Sequence, residues 1–236
     1  MAKKIHRFIT TYQKTNNILK ITDTDLIHQI NDVLKMRINE DCIVIGEDQI
    51  EIIGTIKNIK PKYIELNIKE KIISKNNLPA DESKFVTLYM AILKKENFEM
   101  VLQKASEIGI NKIVPMITNR TVKTGLNYER LQKIAREASE LCGRNTVIEI
   151  ADITNFSDAI KNDESKTKIL FNITGEKIEN QKLDNKSLSI YIGPEGGFTE
   201  NEINLAKENK IEIKNLGQLT LRGETAAIIA CYLAMQ

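Results

Sequence analysis

Residues 187–202 read SLSIYIGPEGGFTENE, and the second half of this stretch decides how the chain is organised. Leu188 to Ile192 form a short apolar run of strand character. Thr199 followed by Glu202 is a T-x-x-E capping box, which starts a helix at about Glu200. The glycines between them therefore occupy a strand-to-helix turn. Gly196 and Gly197 tolerate positive φ, and Gly193-Pro194 sets the exit from the strand. Glu195 sits at the centre with no Lys or Arg beside it, so an anion bound to the helix N-terminus would be repelled. A neutral or cationic ligand fits better. The competing reading is a glycine-rich connector that binds nothing.

Working outward, the same rhythm of strand and helix extends back to residue 85. FVTLYMAIL (85–93) reads as a buried strand. ENFEMVLQKASEI (96–108) reads as a helix with Phe98, Val101, Leu102, Ala105 and Ile108 on one face, stopped at Gly109. NKIVPM, a helix ending at Gly143, TVIEI, a helix at 156–160 and KILFNI continue the alternation. Such an order predicts a largely parallel sheet covered by helices, with ligands at the carboxyl ends of its strands. The fold class is α/β.

The front of the chain differs. RFITTY, NILKIT, CIVIG, IEIIGTI and YIELNI read as short strands, with one helix starting near residues 22–25 and placing Leu26, Ile30, Val33 and Leu34 on one side. Several strands around a helix in about seventy residues suggest a compact β-barrel. The polar, proline-containing stretch 74–84 is the linker candidate, giving domains at 1–73 and 85–236.

A chain of 236 residues with 42% hydrophobic content buries a real core, which excludes disorder as a whole. A net charge of +2 is too small to mark a polyanion binder, so any RNA binding must come from local patches. Cys42, Cys142 and Cys231 are far apart, and two histidines do not complete a metal site. The expectation is a metal-free, cytoplasmic chain with no membrane segment and no leader.

Near the end, a short strand leads to Leu216-Gly217, and after a loop comes ETAAIIACYLAM (224–235), apolar on nearly every face and expected to be buried. Arg222 and Glu224 stand at its entry, either as a satisfied ion pair or as groups with a task.

IGPEGGFTENEI (192–203) followed by LGQLTLRGETA (216–226) resembles the signature of the ribosomal RNA small subunit methyltransferase E family, within the SPOUT superfamily. The resemblance extends to NFEMVLQKASEIGINKIVPMITNRTV, REASELCGRN, HRFIT and IHQINDVLKMR, and so spans nearly the whole chain. It implies a PUA-like RNA-binding β-barrel joined to a SPOUT domain with a deep C-terminal trefoil knot, acting as a homodimer. It implies S-adenosyl-L-methionine as cofactor and methylation of N3 of one uridine in 16S rRNA of the assembled small ribosomal subunit.

Carried over by position, the resemblance assigns Gly193, Pro194, Glu195 and Gly197 to the loop around the cofactor. It assigns Leu216 and Gly217 to the backbone that reads the adenine, Leu219 and Leu221 to the apolar wall, and Phe171 and Asn172 to a strand exit beside it. Gly223 departs from the family's usual Ala, and Leu141 stands where Gln is common.

Uracil N3 becomes nucleophilic as its proton leaves, so an arginine beside the developing anion and a carboxylate acceptor are the groups required. Arg7 and Arg222 are the candidates for the first role and Glu224 for the second. Transfer to N3 needs in-line approach and no cysteine nucleophile. Lys3, Lys4 and Arg7, then Lys57, Lys60 and Lys62, then Arg120, Lys123 and Arg144 are the basic clusters for RNA phosphates; Lys4, Arg7, Arg120, Lys123 and Arg144 are the preferred ones. The alternative reading is a non-catalytic RNA-binding ribosome-assembly factor. A nucleotide-dependent transferase is disfavoured, since neither G-x-x-x-x-G-K-[ST] nor G-x-G-x-x-G follows a strand.

Overall fold

The structure is a computed structural model and describes residues 5–72, 84–178 and 186–236. The expected linker lies outside the described residues except for Lys84, and so do Lys3 and Lys4. The chain divides into two compact units, one formed by residues 1–78 with 139–146 and the other by 79–138 with 147–236.

The first unit contains β1 (His6–Ile9), β2 (Gln13–Thr15), β3 (Ile18–Ile21), α1 (Thr24–His28), β4 (Asp41–Ile45), β5 (Glu51–Lys60) and β6 (Tyr63–Ile72). The strands are ordered β1-β4-β5-β6-β3-β2, antiparallel except for the β1–β4 pair. Phe8, Leu19, Ile21, Ile30, Val44, Ile56 and Leu66 form its core. Asp23 caps α1 by accepting from the backbone N–H groups of Asp25 and Leu26.

Helix α1 runs directly into a π-helical turn, Gln29–Val33. Leu34 N bonds to Gln29 O at 2.8 Å, so each residue turns through a smaller angle than in an α-helix. This shift of phase explains a miss. Leu26 and Ile30 are buried as expected, but Val33 is rotated out and 65% exposed.

The second unit contains β7 (Phe85–Ala91), α2 (Lys95–Ile108), β8 (Lys112–Ile117), α3 (Tyr128–Cys142), β9 (Glu149–Ile150), β10 (Thr154–Asn155), α4 (Phe156–Asn162), β11 (Thr167–Lys177), β12 (Ser187–Ile192), α5 (Glu200–Glu208), β13 (Glu212–Asn215) and α6 (Gly223–Ala234). The last turn of α3 falls in the first unit. The sheet order is β10-β8-β7-β12-β11-β13, with β9 also beside β8, and every pairing is parallel.

Alternation along the strands separates two cores. Val86, Leu88 and Met90 of β7 and Leu188, Ile190 and Ile192 of β12 face α2, α3 and α6. Tyr89 and Tyr191 face the opposite way, stacked with centroids 4.5 Å apart, on the side of α4 and α5. The buried Tyr191 hydroxyl donates to Asp163 Oδ2 at 2.7 Å, and Ser189 Oγ donates to Asp163 Oδ1 at 3.1 Å, so the polar groups beneath this face are paired.

Helix stops follow the sequence. Gly109 caps α2 with φ 109°, and Gly143 follows α3 with φ 90°. Helix α6 is a correction: Ala227, Ala230, Cys231 and Ala234 are buried, but Ile229 and Tyr232 lie on an outward face, Tyr232 56% exposed. An apolar surface all round a helix does not say which side its own sheet covers. No described helix is long and apolar enough to cross a membrane.

Candidate active site

A cavity of about 470 Å³ opens at the carboxyl ends of β12 and β13 and over residues 171–174 within β11. Parallel pairing brings the ends of β12 and β13 to the same side of the sheet as this part of β11, beyond its last pair with β12 at Phe171, where the connecting loops meet. Phe171, Asn172, Gly193, Pro194, Glu195, Gly197, Leu216, Gly217, Leu219 and Leu221 all line it. The sequence places these residues in three separate segments, and the sheet brings them together.

The loop between β12 and α5 is a closed turn, with Gly197 N bonded to Pro194 O at 2.8 Å and Gly197 at φ 68°. Phe198 packs so tightly under Gly193 that a Cβ there would meet its ring at 3.1 Å. The capping box is present as read: Thr199 accepts from Glu202 N, and Glu202 Oε2 accepts from Thr199 N at 2.8 Å. The other oxygen, Oε1, accepts from Asn119 N at 2.8 Å, tying the loop after β8 to α5. The sequence expectation sets Glu195 beside the start of α5, but its hydrogen bond is made at another helix. Its Oε1 accepts from the backbone N–H of Lys94, at 3.3 Å, at the N-terminus of α2.

The second wall comes from an irregularity in β11. Phe171 and Glu176 both pair with Lys214, so residues 172–175 bulge out of register. Asn172 Oδ1 accepts from Thr174 N and Thr174 Oγ1, both at 2.9 Å, which closes the bulge. Gly175 crosses the backbone of Ile213 and Lys214 where a Cβ would lie 2.6 Å away, and no other residue fits there. Asn215 Nδ2 donates to Gly175 O at 2.9 Å, and Asn215 Oδ1 accepts from Gly217 N at 3.0 Å. One side chain thus fixes two walls of the cavity. Gly217 is held at φ 145°, a conformation that favours glycine.

The third wall is the entry to α6. Gly223 and Ala226 line the cavity, and a Cβ on Gly223 would stand 3.5 Å from Gly193 O and 3.3 Å from a Leu93 methyl. An alanine fits there if Leu93 yields slightly. Arg222 is exposed at the N-cap of α6, and among the described residues its guanidinium makes no hydrogen bond or ion pair. Glu224 is buried, and its Oε2 has no hydrogen-bond partner. Its side chain is not part of the cavity wall.

Arg7 belongs to the first unit, where its two terminal nitrogens are engaged while Nε is buried without a hydrogen-bond partner. Nη1 and Nη2 form a bidentate pair with Glu51 at 3.1 and 3.0 Å. Nη2 also reaches Asn145 Oδ1 at 2.6 Å and Gly143 O at 3.3 Å. Together with the bond from Ile9 N to Glu140 Oε1 at 2.8 Å, this incorporates residues 139–146 into that unit. Arg144 lies on the same turn, and burial holds its guanidinium below the usual arginine range. Lys123 is half-buried on the loop after β8. Burial pushes the thiols of Cys42 and Cys231 up to about 12.

Arg120 is the residue whose place the sequence did not reveal. Assigned there to RNA phosphates, it lines the cavity, and its Nη1 donates to Gly196 O at 2.7 Å. The two residues are far apart in the chain, and no local pattern signals the contact. Only the common end of parallel strands could have suggested it.

The RNA methyltransferase domain family matches residues 80–235. The chain is 31% identical to the ribosomal RNA small subunit methyltransferase E of Mesomycoplasma hyopneumoniae, over 95% of this chain and 96% of that protein. It is 29% identical to the same-named protein of Rickettsia conorii, over 94% and 91%. The crystal structure of a ribosomal RNA small subunit methyltransferase E from Neisseria gonorrhoeae bound to S-adenosyl methionine superposes with a TM-score of 0.85 at 25% identity, covering 97% of this chain and 95% of that one. A domain match over more than half the chain and full-length relatives of one name lead to a single conclusion: the chain belongs to the ribosomal RNA small subunit methyltransferase E family, a family of RNA methyltransferases.

Proposed function

We propose that this protein uses S-adenosyl-L-methionine to methylate N3 of a uridine in 16S rRNA within the assembled small ribosomal subunit, in the cytoplasm and as a homodimer. The observation that carries the reading is the cavity at the ends of β12 and β13, walled by residues 171–174 of β11. Its size suits a nucleoside-sized ligand. Glu195 and Glu200 give it negative charge, and bare backbone at Gly193, Gly197 and Gly217 allows close approach. When bound, the cofactor supplies an electrophilic methyl group on a cationic sulfonium.

The residues of this chain do the rest. Leu216 and Gly217 present backbone groups to the adenine, while Leu219 and Leu221 cover its faces. Phe171, Asn172, Pro194 and Glu195 complete the enclosure. Arg222, with free donors beside the mouth of α6, stabilises negative charge as the N3 proton leaves. Glu224 is the proposed proton acceptor, as an unpaired buried carboxylate two residues further on. Arg7 acts from the first unit by fixing the Gly143–Asn145 turn that carries Arg144. Lys4, Lys123 and Arg144 are the proposed RNA contacts, whereas Arg120, expected among them from the sequence, lies in the cavity wall.

In the same reading the first unit, with domain limits at 1–73, is a PUA-like RNA-binding barrel; 74–84 is a linker; and 85–236 is a SPOUT domain with a trefoil knot. The approach of Gly223 to Gly193 O fits a C-terminal helix threaded against the β12 loop. The outward Ile229 and Tyr232 of α6 are the proposed dimer surface.

The test is to incubate small subunits lacking the modification with the protein and labelled cofactor, then digest the 16S rRNA. Label in N3-methyluridine is the expected result. Cofactor binding without any label would leave the non-catalytic assembly role instead.

A further inference from the structure

Arg120 is the sole basic residue among the described residues that line the cavity, and its contact with Gly196 leaves most of its donors uncommitted. A guanidinium has five N–H groups, and the bond to Gly196 O takes one. The group is held from both flanks. Asn119 N is bonded to Glu202 Oε1, and Thr121 is closed onto Thr118 through Thr118 N at 2.9 Å and Thr121 N at 3.1 Å. The aliphatic stem lies over Gly196, where a Cβ would stand 3.3 Å from its Cδ. The cavity therefore has a fixed cation at one place and two carboxylates, Glu195 and Glu200, at others.

That pattern is complementary to one ligand charge distribution. S-adenosylmethionine carries two cationic centres, the sulfonium and the α-ammonium, and one anionic centre, the α-carboxylate. We infer that Arg120 is a specificity-determining residue that binds the α-carboxylate of the cofactor's methionyl group, in addition to holding the glycine turn. The inference rests on the cofactor reading above. A guanidinium fork fixes a carboxylate in position and direction, which a lysine does not. Fixing that end of the methionyl chain directs the sulfonium methyl toward the incoming base, so Arg120 governs both affinity and orientation.

The experiment compares S-adenosylmethionine with its decarboxylated analogue, which keeps both cationic centres, by calorimetric titration of wild type, R120M and R120K. The wild type is expected to prefer the carboxylated ligand by about tenfold or more, the range of a charge-assisted hydrogen bond. R120M should bind the analogue as the wild type does and lose most of that preference; R120K should fall between. Equal weakening of both ligands in R120M assigns Arg120 to loop packing alone and overturns the inference. Unchanged binding of both, with loss of affinity for the ribosomal subunit, assigns it to RNA and also overturns it. A wild type that binds both ligands equally refutes this inference only, whereas a wild type that binds neither refutes the cofactor reading itself.

Discussion

Gly193 and Phe198 are in direct opposition: a Cβ on residue 193 would lie 3.1 Å from two carbons of the Phe198 ring. The ring cannot swing aside freely, because it is buried and packs against Phe156 with centroids 5.1 Å apart. The strand exit and the core beneath the sheet are thus one mechanical unit.

Alanine at Gly193 should therefore displace either the ring or the turn. We expect a stability loss of about 1–3 kcal/mol in urea unfolding, as for other overpacked sites. Cofactor affinity should drop with it. Wild-type affinity in G193A would show that this contact does not shape the cavity.

Arg222 is exposed with free donors, so its removal should cost little stability. R222A is expected to lower the single-turnover methylation rate by roughly 10²–10³, the scale of losing one stabilising donor at a developing anion, with cofactor affinity unchanged. Equal rates in R222A and wild type would end its proposed role.

Glu224 holds a buried oxygen without a partner, a cost that an amide would lessen. We expect E224Q to raise stability by about 0.5–2 kcal/mol while abolishing methyl transfer, the trade that strained functional groups show. A variant that gains stability and keeps its full rate removes Glu224 from proton transfer.

Breaking the Arg7–Glu51 pair leaves a buried carboxylate short of two charged bonds. R7M should destabilise the first unit by about 3 kcal/mol, and R7M/E51Q by clearly less, because the second change removes the stranded charge. Additive losses in the double variant would show that the pair is not coupled.

Cys42 and Cys231 are pushed up to about 12 because burial penalises the thiolate. At pH 8 only about one in ten thousand of each is ionised, so iodoacetamide should modify Cys142 first in the folded protein. Mass mapping that finds Cys231 alkylated without unfolding would contradict the buried packing of α6.

Much of the second unit was legible from local pattern. Thr199 and Glu202 announced α5, Gly109 and Gly143 marked helix ends, and the alternation of apolar strands with helices pointed to the parallel sheet. The helix signals depend on neighbours within one turn, so tertiary context has little room to override them. Val33 failed because a π-turn altered the periodicity itself. Ile229 and Tyr232 failed because a uniformly apolar helix carries no phase information.

What the sequence alone determined was the set of pieces: capped helices, apolar strands, glycine turns and the family signature that links residues 192–203 with 216–226. Which pieces meet was decided by the sheet. Placing β12 between β7 and β11, with β13 outside β11, gathers the ends of β12 and β13 and the irregular segment of β11 into one cavity, which Arg120 closes against Gly196. Likewise Arg7 and Asn145 lie 138 residues apart in the chain and meet only in the tertiary fold. Hydrogen-bond registry between distant strands is a cooperative property of the whole core, and no short window of residues encodes it.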